Sequence, residues 1–335
     1  MNNEAKILQD SHGRNHNYLR ISLTERCNLR CTYCMPAAGV PLSPKSHLMT
    51  YEEVYDIAKT FVKHGVTKIR LTGGEPLVRK DFPVILEKLA SLPVELSITS
   101  NAVIIDRFID VLKTHGVKNI NVSLDSLNRE KFTHITRRNQ FDKVYNNILQ
   151  LINEGFNVKV NAVLVKGFNN DEIIDFINFT KDLPISVRFI EFMPFDGNKW
   201  DVSKMVSYAE IMKYVNDSFP KNSVIRLQDT PNDTSKNYKI KGYKGSFAII
   251  SSVTNPFCDS CNRLRLTANG QLKNCLFSST ESDLLTTLRT GKSIDQVIKK
   301  AVFAKLKVRG GMDTLNKLQK PHLHSKNRSM ITIGG

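Results

Sequence analysis

The chain has 335 residues, 41% hydrophobic and 24% charged, an ordinary globular composition long enough for one large domain and a smaller one. No run approaches the roughly 18 apolar residues of a membrane span, and MNNEAKILQDSHGRN at the N-terminus has no signal-peptide core, so a cytoplasmic protein away from membranes is expected. Lys and Arg outnumber Asp and Glu by 48 to 32, a formal charge of +16, which favours an anionic partner without saying which.

In chain order, YLRISLT reads as the first strand, and CNLRCTYC follows it directly. Thr50 and Glu53 have capping-box spacing and open a helix over about 50–64, which Gly65 ends. TKIRLT, VELSITS, VKNINVSL, NVKVNAVLV and ISVRFIEFM are the next strands, each separated from its neighbour by helical sequence. These six strand–helix units are long enough for right-handed parallel crossovers and predict a parallel sheet.

Parallel strands covered by helices on both faces should be nearly continuous apolar runs. These strands alternate instead. Arg20, Ser22 and Thr24 share one face, continued by Lys68, Arg70 and Thr72, by Ser97 and Thr99, by Asn121, Ser123 and Asp125, and by Lys159 and Asn161. A closed eight-stranded barrel fills its interior with branched apolar side chains. Six strands with a polar, cationic inner face point to a partial (β/α)6 TIM-like barrel whose lumen holds a ligand.

After Pro194 the pattern changes. FDGNKWD reads as a linker, followed by a helix over about 207–219, the strand SFAIISSV, and CDSCNRLRLTANGQLKNC. Asn269-Gly270 predicts a two-residue β-hairpin turn that sets position 275 opposite 264 and returns Cys275 to Cys258 and Cys261. The expected division is a barrel domain over 1–195 and a smaller C-terminal domain over 196–335.

The six cysteines form two trios, Cys27, Cys31 and Cys34, then Cys258, Cys261 and Cys275. Without a secretion signal, clustered cysteines point to metal rather than disulfides. Three soft thiolates suit zinc or an iron–sulfur cluster. A closed zinc site needs a fourth ligand, and His12, His16 and His47 are not at paired-ligand spacing. A [4Fe–4S] cube held by three cysteines leaves one iron open.

CNLRCTYC, with an aromatic residue before its last cysteine, and Gly73-Gly74-Glu75-Pro76 after the second strand resemble the two signatures of the radical S-adenosylmethionine (SAM) superfamily. Cys258, Cys261 and Cys275, with Asn262-Arg263-Leu264-Arg265, the segment RFIEFMP and the terminal Gly334-Gly335, resemble the GTP 3′,8-cyclase family of molybdenum cofactor biosynthesis. The likeness runs from about Leu19 to Gly335. It implies a C-terminal auxiliary-cluster domain, two [4Fe–4S] clusters, SAM on the open iron of the first and GTP against the second. The implied reaction begins molybdopterin synthesis. A 5′-deoxyadenosyl radical removes the ribose C3′ hydrogen of GTP, giving (8S)-3′,8-cyclo-7,8-dihydroguanosine 5′-triphosphate.

Carried over by position, Tyr33, Gly74, Ser123 and Met193 contact SAM, with Glu75 as an acceptor near its amino group. Arg20, Arg70, Thr99, Lys159, Arg263 and Arg265 contact GTP, and Arg20, Arg263 and Arg265 are the catalytic candidates. Four of the six GTP positions lie on the polar strand face read from alternation alone, and converging cations suit a triphosphate. The resemblance further implies a reductant such as flavodoxin or ferredoxin, and a downstream cyclic pyranopterin monophosphate synthase. It is compatible with a homodimer and implies no nucleic acid. Gly334 and Gly335 are expected to enter the site and position the arginines. One departure is Ala102, where relatives have Gly; if that turn needs φ > 0, Ala costs about 1 kcal/mol.

Two rivals are a peptide-modifying radical SAM maturase and a zinc-binding nucleic-acid protein. The first commonly carries further cysteines, and none follows Cys275 here. The second lacks aromatic stacking motifs.

Overall fold

A computed structural model describes residues 7–35, 39–324 and 327–334. The six expected strands are β1 (Tyr18–Ser22), β2 (Lys68–Thr72), β3 (Glu95–Ser100), β4 (Asn119–Ser123), β5 (Asn157–Leu164) and β6 (Ser186–Glu191). They pair in that order and are parallel throughout. Between them run α1 (Tyr51–Lys63), α2 (Phe82–Ala90), α3 (Ile109–Thr114), α4 (Arg129–Thr136), α5 (Phe141–Asn153) and α6 (Ile173–Asn178). At the start of α1, Glu53 N donates to Thr50 Oγ1 (3.2 Å) and Thr50 N to Glu53 Oε2 (2.7 Å), a cap worth about 1 kcal/mol. Leu19, Ile21, Ile69, Leu71 and Val160, from the apolar strand faces, join Ile57, Phe61, Ile85 and Ile148 of the helices in one buried core.

The sheet continues past the six strands at both ends. It adds β7 (Val224–Arg226), β8 (Lys236–Ile240), β9 (Ser246–Ile250), β10 (Arg263–Leu266), β11 (Gln271–Lys273) and β12 (Ser282–Asp283). β10 lies parallel to β1 and β9 parallel to β6, so eight parallel strands run β10-β1-β2-β3-β4-β5-β6-β9. Antiparallel β11–β12 and β8–β7 form the margins. The result is a partial barrel extended by C-terminal strands.

The hairpin register differs from expectation by one residue. Arg265 faces Lys273 and Leu266 faces Leu272, so position 275 falls opposite 263 rather than 264. Thr267 N donates to the Gln271 carbonyl, enclosing the three residues Ala268, Asn269 and Gly270. Only Gly270 takes positive φ (+72°), as a three-residue loop requires, whereas a two-residue type I′ turn would need it at both central residues. The FDGNKWD stretch is also packed rather than a free linker. Trp200 Nε1 donates to the Phe192 carbonyl (2.7 Å), beside a small core of Met205, Val253, Phe277 and Leu318.

Two ties hold the C-terminal part to the barrel. Glu191, fully buried at the end of β6, accepts from Val253 N (2.8 Å), Thr254 N (2.9 Å) and Tyr208 N (3.1 Å), the last at the start of α7 (Tyr208–Ser218). After α8 (Leu284–Arg289) and α9 (Asp295–Phe303), the chain passes under Arg14. Arg14 donates to the carbonyls of Cys258 (2.8 Å), Lys307 (2.8 Å) and Leu306 (3.1 Å).

Candidate active site

A cavity of about 200 Å³ opens where the loops after β1, β2, β3 and β4 meet, with Cys27, Cys31 and Cys34 on its wall. Parallel sheets place ligands at the carboxyl ends of their strands. Gly73 and Gly74 share the wall, and Gly74 is there because nothing larger fits. A Cβ on it would lie 2.4 Å from the Arg26 carbonyl oxygen, and its N donates to the Thr24 carbonyl at 2.7 Å. The cysteine loop is thereby laid across the glycine pair.

Glu75 is not on this wall. It is fully buried and accepts from Leu77 N (3.2 Å), Ser100 Oγ (2.8 Å) and Asn101 N (2.7 Å), while burial lifts it to about 7. Its carboxylate therefore fastens the turn after β3 to the turn after β2, rather than reaching into the cavity. Asn101 Nδ2 in turn lies 3.6 Å from Cys27 Sγ, which also receives Leu29 N at 3.4 Å. Ala102 does adopt positive φ, +60°. Its N donates to Ser100 Oγ (2.9 Å) and its carbonyl accepts from Asn147 Nδ2 (2.6 Å), which holds the turn without glycine.

Tyr33, Ser123 and Met193 all line this cavity. Tyr33 OH donates to Asp125 Oδ2 (2.7 Å), and Asp125 Oδ1 accepts from Val163 N (2.8 Å), pinning the cysteine loop to β4 and β5. Burial raises Asp125 to about 6, Cys27 to about 11 and Cys34 to about 12. A metal group held by these thiols must displace their protons.

A second cavity, of about 180 Å³, adjoins the first. Thr99, Asn161, Ile190, Met193 and Met330 line both. Its wall carries Cys258, Cys261 and Cys275 together with Arg20, Arg70, Arg188, Arg263, Arg265 and Arg309, and among the described residues no carboxylate. Contributions from β10, β1, β6 and β9 to one cavity require the sheet to curl. Strand register makes the charge dense, because Arg20 faces Arg70 on one side and Arg265 on the other. Tyr18 spaces these cations, with Arg20 Cζ, Lys68 Nζ and Arg70 Cζ at 5.5, 5.8 and 5.4 Å from its ring centroid. Arg20 Nε, Arg188 Nε, Asn121 Oδ1 and Asn161 Oδ1 are buried without hydrogen-bond partners. Burial pushes Arg70 down to about 10. Six guanidinium groups on one wall, at least two with an unpaired buried donor and none in an ion pair among the described residues, make a site for a multiply charged anion.

The C-terminal tail reaches this wall. The Gly334 carbonyl accepts from Arg265 Nη1 at 2.5 Å. Gly334 has φ +88°, and a Cβ there would lie 2.7 Å from Thr72 Oγ1 and 2.8 Å from Ser22 Cβ. Gly335 lies outside the described residues.

Of the expected nucleotide contacts, Arg20, Arg70, Thr99, Arg263 and Arg265 come together on the wall. Lys159 is not a wall residue. It sits on β5 opposite Asn121, which is one, and burial, with the charges of Arg188 and Arg70, lowers it to about 8. Sequence reading passed over Arg188, Tyr18 and Arg309. Arg188 pairs with Asn161 and shares its face, so strand parity could have found it; Tyr18 shares the parity of Arg20 but, being aromatic, reads as core, and Arg309 lies in a short 3-10 turn with no periodic signal.

Among the described residues no three His, Cys, Asp or Glu side chains converge as ligands of one metal ion. Each trio instead borders a cavity, as suits a cluster with one position left for a bound molecule.

Residues 21–180 match the Radical SAM superfamily model, and residues 185–310 match Molybdenum Cofactor Synthesis C. A mitochondrial GTP 3′,8-cyclase of Arabidopsis thaliana is 48% identical, over 99% of this chain and 84% of its own length. A GTP 3′,8-cyclase of Peptoclostridium acidaminophilum is 42% identical, over 89% of this chain and 91% of its own. The chain belongs to the GTP 3′,8-cyclase family. Molybdenum cofactor biosynthesis protein 1 of Homo sapiens is 46% identical over 98% of this chain, which spans 51% of that protein's length. Among solved structures, Streptococcus suis SuiB bound to S-adenosylmethionine superposes with a TM-score of 0.59 at 17% identity, covering 83% of this chain and 67% of that one. At that identity the likeness shows the fold alone. Membership of the cyclase family decides against the peptide-maturase alternative. No helix of the described residues is long and apolar enough to cross a membrane.

Proposed function

We infer that the protein converts GTP to (8S)-3′,8-cyclo-7,8-dihydroguanosine 5′-triphosphate, the first step of molybdenum cofactor biosynthesis. The observation that carries this reading is a thiol-lined cavity opening into a second one that combines three thiols with six arginines. Cys27, Cys31 and Cys34 would hold one [4Fe–4S] cluster, and Cys258, Cys261 and Cys275 the other. Bound there beside SAM, the first cluster would supply the one-electron reducing chemistry from which hydrogen abstraction at the ribose C3′ begins.

The chain's own residues bind and orient. Gly74 offers backbone at close approach, and Tyr33, Ser123 and Met193 border the space for SAM. Arg20, Arg70, Arg263 and Arg265 supply positive charge along the second cavity, with Arg188 added to the expected set and Lys159 contributing from beside it. Thr99 and Met193 stand where the cavities meet, so they set how the ribose faces SAM. Arg20, Arg263 and Arg265 are the groups assigned to the reacting end of the nucleotide. Gly334 holds Arg265 through its carbonyl and fills the gap beside Ser22 and Thr72, which excludes water there.

In this reading residues 1–195 carry the SAM chemistry and 196–335 the second cluster. The protein works in the cytoplasm, singly or as a homodimer, with flavodoxin or ferredoxin as reductant, and its product passes to cyclic pyranopterin monophosphate synthase. Anaerobic incubation of the reconstituted protein with GTP, SAM and dithionite tests the proposal. The cyclised nucleotide should appear as GTP is consumed; SAM cleavage with GTP left intact would defeat it.

A further inference from the structure

We propose that Lys305 is the counter-ion of the cluster held by Cys258, Cys261 and Cys275, and that it sets this cluster at a higher reduction potential than its N-terminal counterpart. The inference rests on the two-cluster reading above.

Lys305 lies two residues beyond α9 and is 2% exposed. Its Nζ donates to Cys261 Sγ (3.3 Å) and to the Arg263 carbonyl (2.9 Å), and no carboxylate of the described residues pairs with it. A buried ammonium without an anion is strongly destabilising, so a chain that retains one must give it an opposite charge. The thiolate of Cys261 is the anion within reach, and a cluster held by three thiolates would make that negative charge permanent.

The two trios differ in what surrounds the sulfurs. Cys27 Sγ receives only neutral donors, Leu29 N at 3.4 Å and Asn101 Nδ2 at 3.6 Å, while the Asp125 carboxylate stands 2.7 Å from the hydroxyl of Tyr33, next to Cys34. Around the second trio two of the donors are cationic, both at Cys261. At Cys261 Sγ, Arg263 Nη2 and Lys305 Nζ both lie at 3.3 Å, while Cys258 Sγ accepts from the neutral backbone N of Arg309 at 3.4 Å. Reduction adds an electron to the cluster, and hydrogen bonds and positive charge at its sulfurs stabilise that form. Both shells donate hydrogen bonds, but only the second adds positive charge at a sulfur, so it raises its cluster's potential further than the first does.

Reductive titration followed by electron paramagnetic resonance, on wild type, K305M and K305R, tests this. A variant lacking Cys27, Cys31 and Cys34 assigns the C-terminal signal. Wild type should hold about eight irons per chain and reduce its C-terminal cluster first. K305M should lower that cluster's reduction equilibrium at least tenfold, about 59 mV for one electron, with the N-terminal cluster unmoved. K305R, which keeps the charge, should stay near wild type. If K305M cannot load the C-terminal cluster, loss of half the iron with the N-terminal signal intact supports the same role. Loss of both clusters would mark a folding residue and overturn the proposal. Full iron with an unmoved potential also overturns it and leaves the two-cluster reading intact, whereas about four irons in wild type would defeat that reading itself.

Discussion

Gly334 illustrates how a single residue can be required for two reasons at once. Its φ of +88° and the 2.7 Å and 2.8 Å approaches to Thr72 and Ser22 leave no place for a Cβ. Gly334→Ala should displace the tail, release Arg265 and lower kcat/KM for GTP by about tenfold or more, with iron content unchanged. Unaltered kinetics would show that the tail has no part in turnover. Tyr18→Leu removes the plate between Arg20, Lys68 and Arg70. The cations then repel without a spacer, and KM for GTP should rise roughly tenfold while SAM affinity holds; equal losses for both ligands would refute a local role. The cysteines, Arg20 and Arg70 were legible in the sequence because spacing and strand parity are local signals. Tyr18 was not, since an aromatic residue in a strand reads as core until its three cationic neighbours are seen.

At the level of elements, β10 beside β1 is the decisive pairing. It sets Arg265 against Arg20 and Arg263 against Tyr18, although the partners stand far apart in sequence. Nothing local in RLRL specifies parallel pairing with YLRIS, which is why six parallel strands were counted and eight are present. Helix starts were easier, since Thr50 and Glu53 encode their cap within four residues. The like charges across β10, β1 and β2 destabilise the empty protein, so a triphosphate should stabilise it. At a hundredfold excess over Kd, GTP should add about 2.7 kcal/mol and raise Tm by a few degrees, with guanosine doing much less. Equal shifts from both would contradict a phosphate role for the arginines. In the turn after β3, Asn147→Ala removes the donor to the Ala102 carbonyl. It should cost about 1–3 kcal/mol in chemical denaturation, and no loss would mean that Ser100 holds the turn alone.

Across the whole molecule, the N-terminal hairpin around Arg14 clamps the loop that follows α9 against the second trio. His16 is buried in that hairpin, with Nε2 3.0 Å from Asp10 Oδ2; burial, followed by the charge of Lys305, lowers it to about 4 from an ordinary 6.5. Because the folded pKa lies below the unfolded one, this stabilisation is complete above about pH 6.5 and is lost as pH falls toward 4. Between about pH 7 and 5.5 wild type should lose roughly 1 kcal/mol more than His16→Gln. Parallel pH profiles would remove His16 from the account. The joining of two cavities is also a property of the whole chain, since β1–β6 build one and the C-terminal strands close the other. Sequence motifs named the contents of each cavity; their contiguity came only with the fold.

That contiguity makes the most direct test isotopic. GTP deuterated at C3′, incubated anaerobically with SAM, reductant and the reconstituted protein, should deliver its deuterium to 5′-deoxyadenosine as the cyclised nucleotide forms. Deuterium retained in GTP, with unlabelled 5′-deoxyadenosine accumulating, would contradict the account.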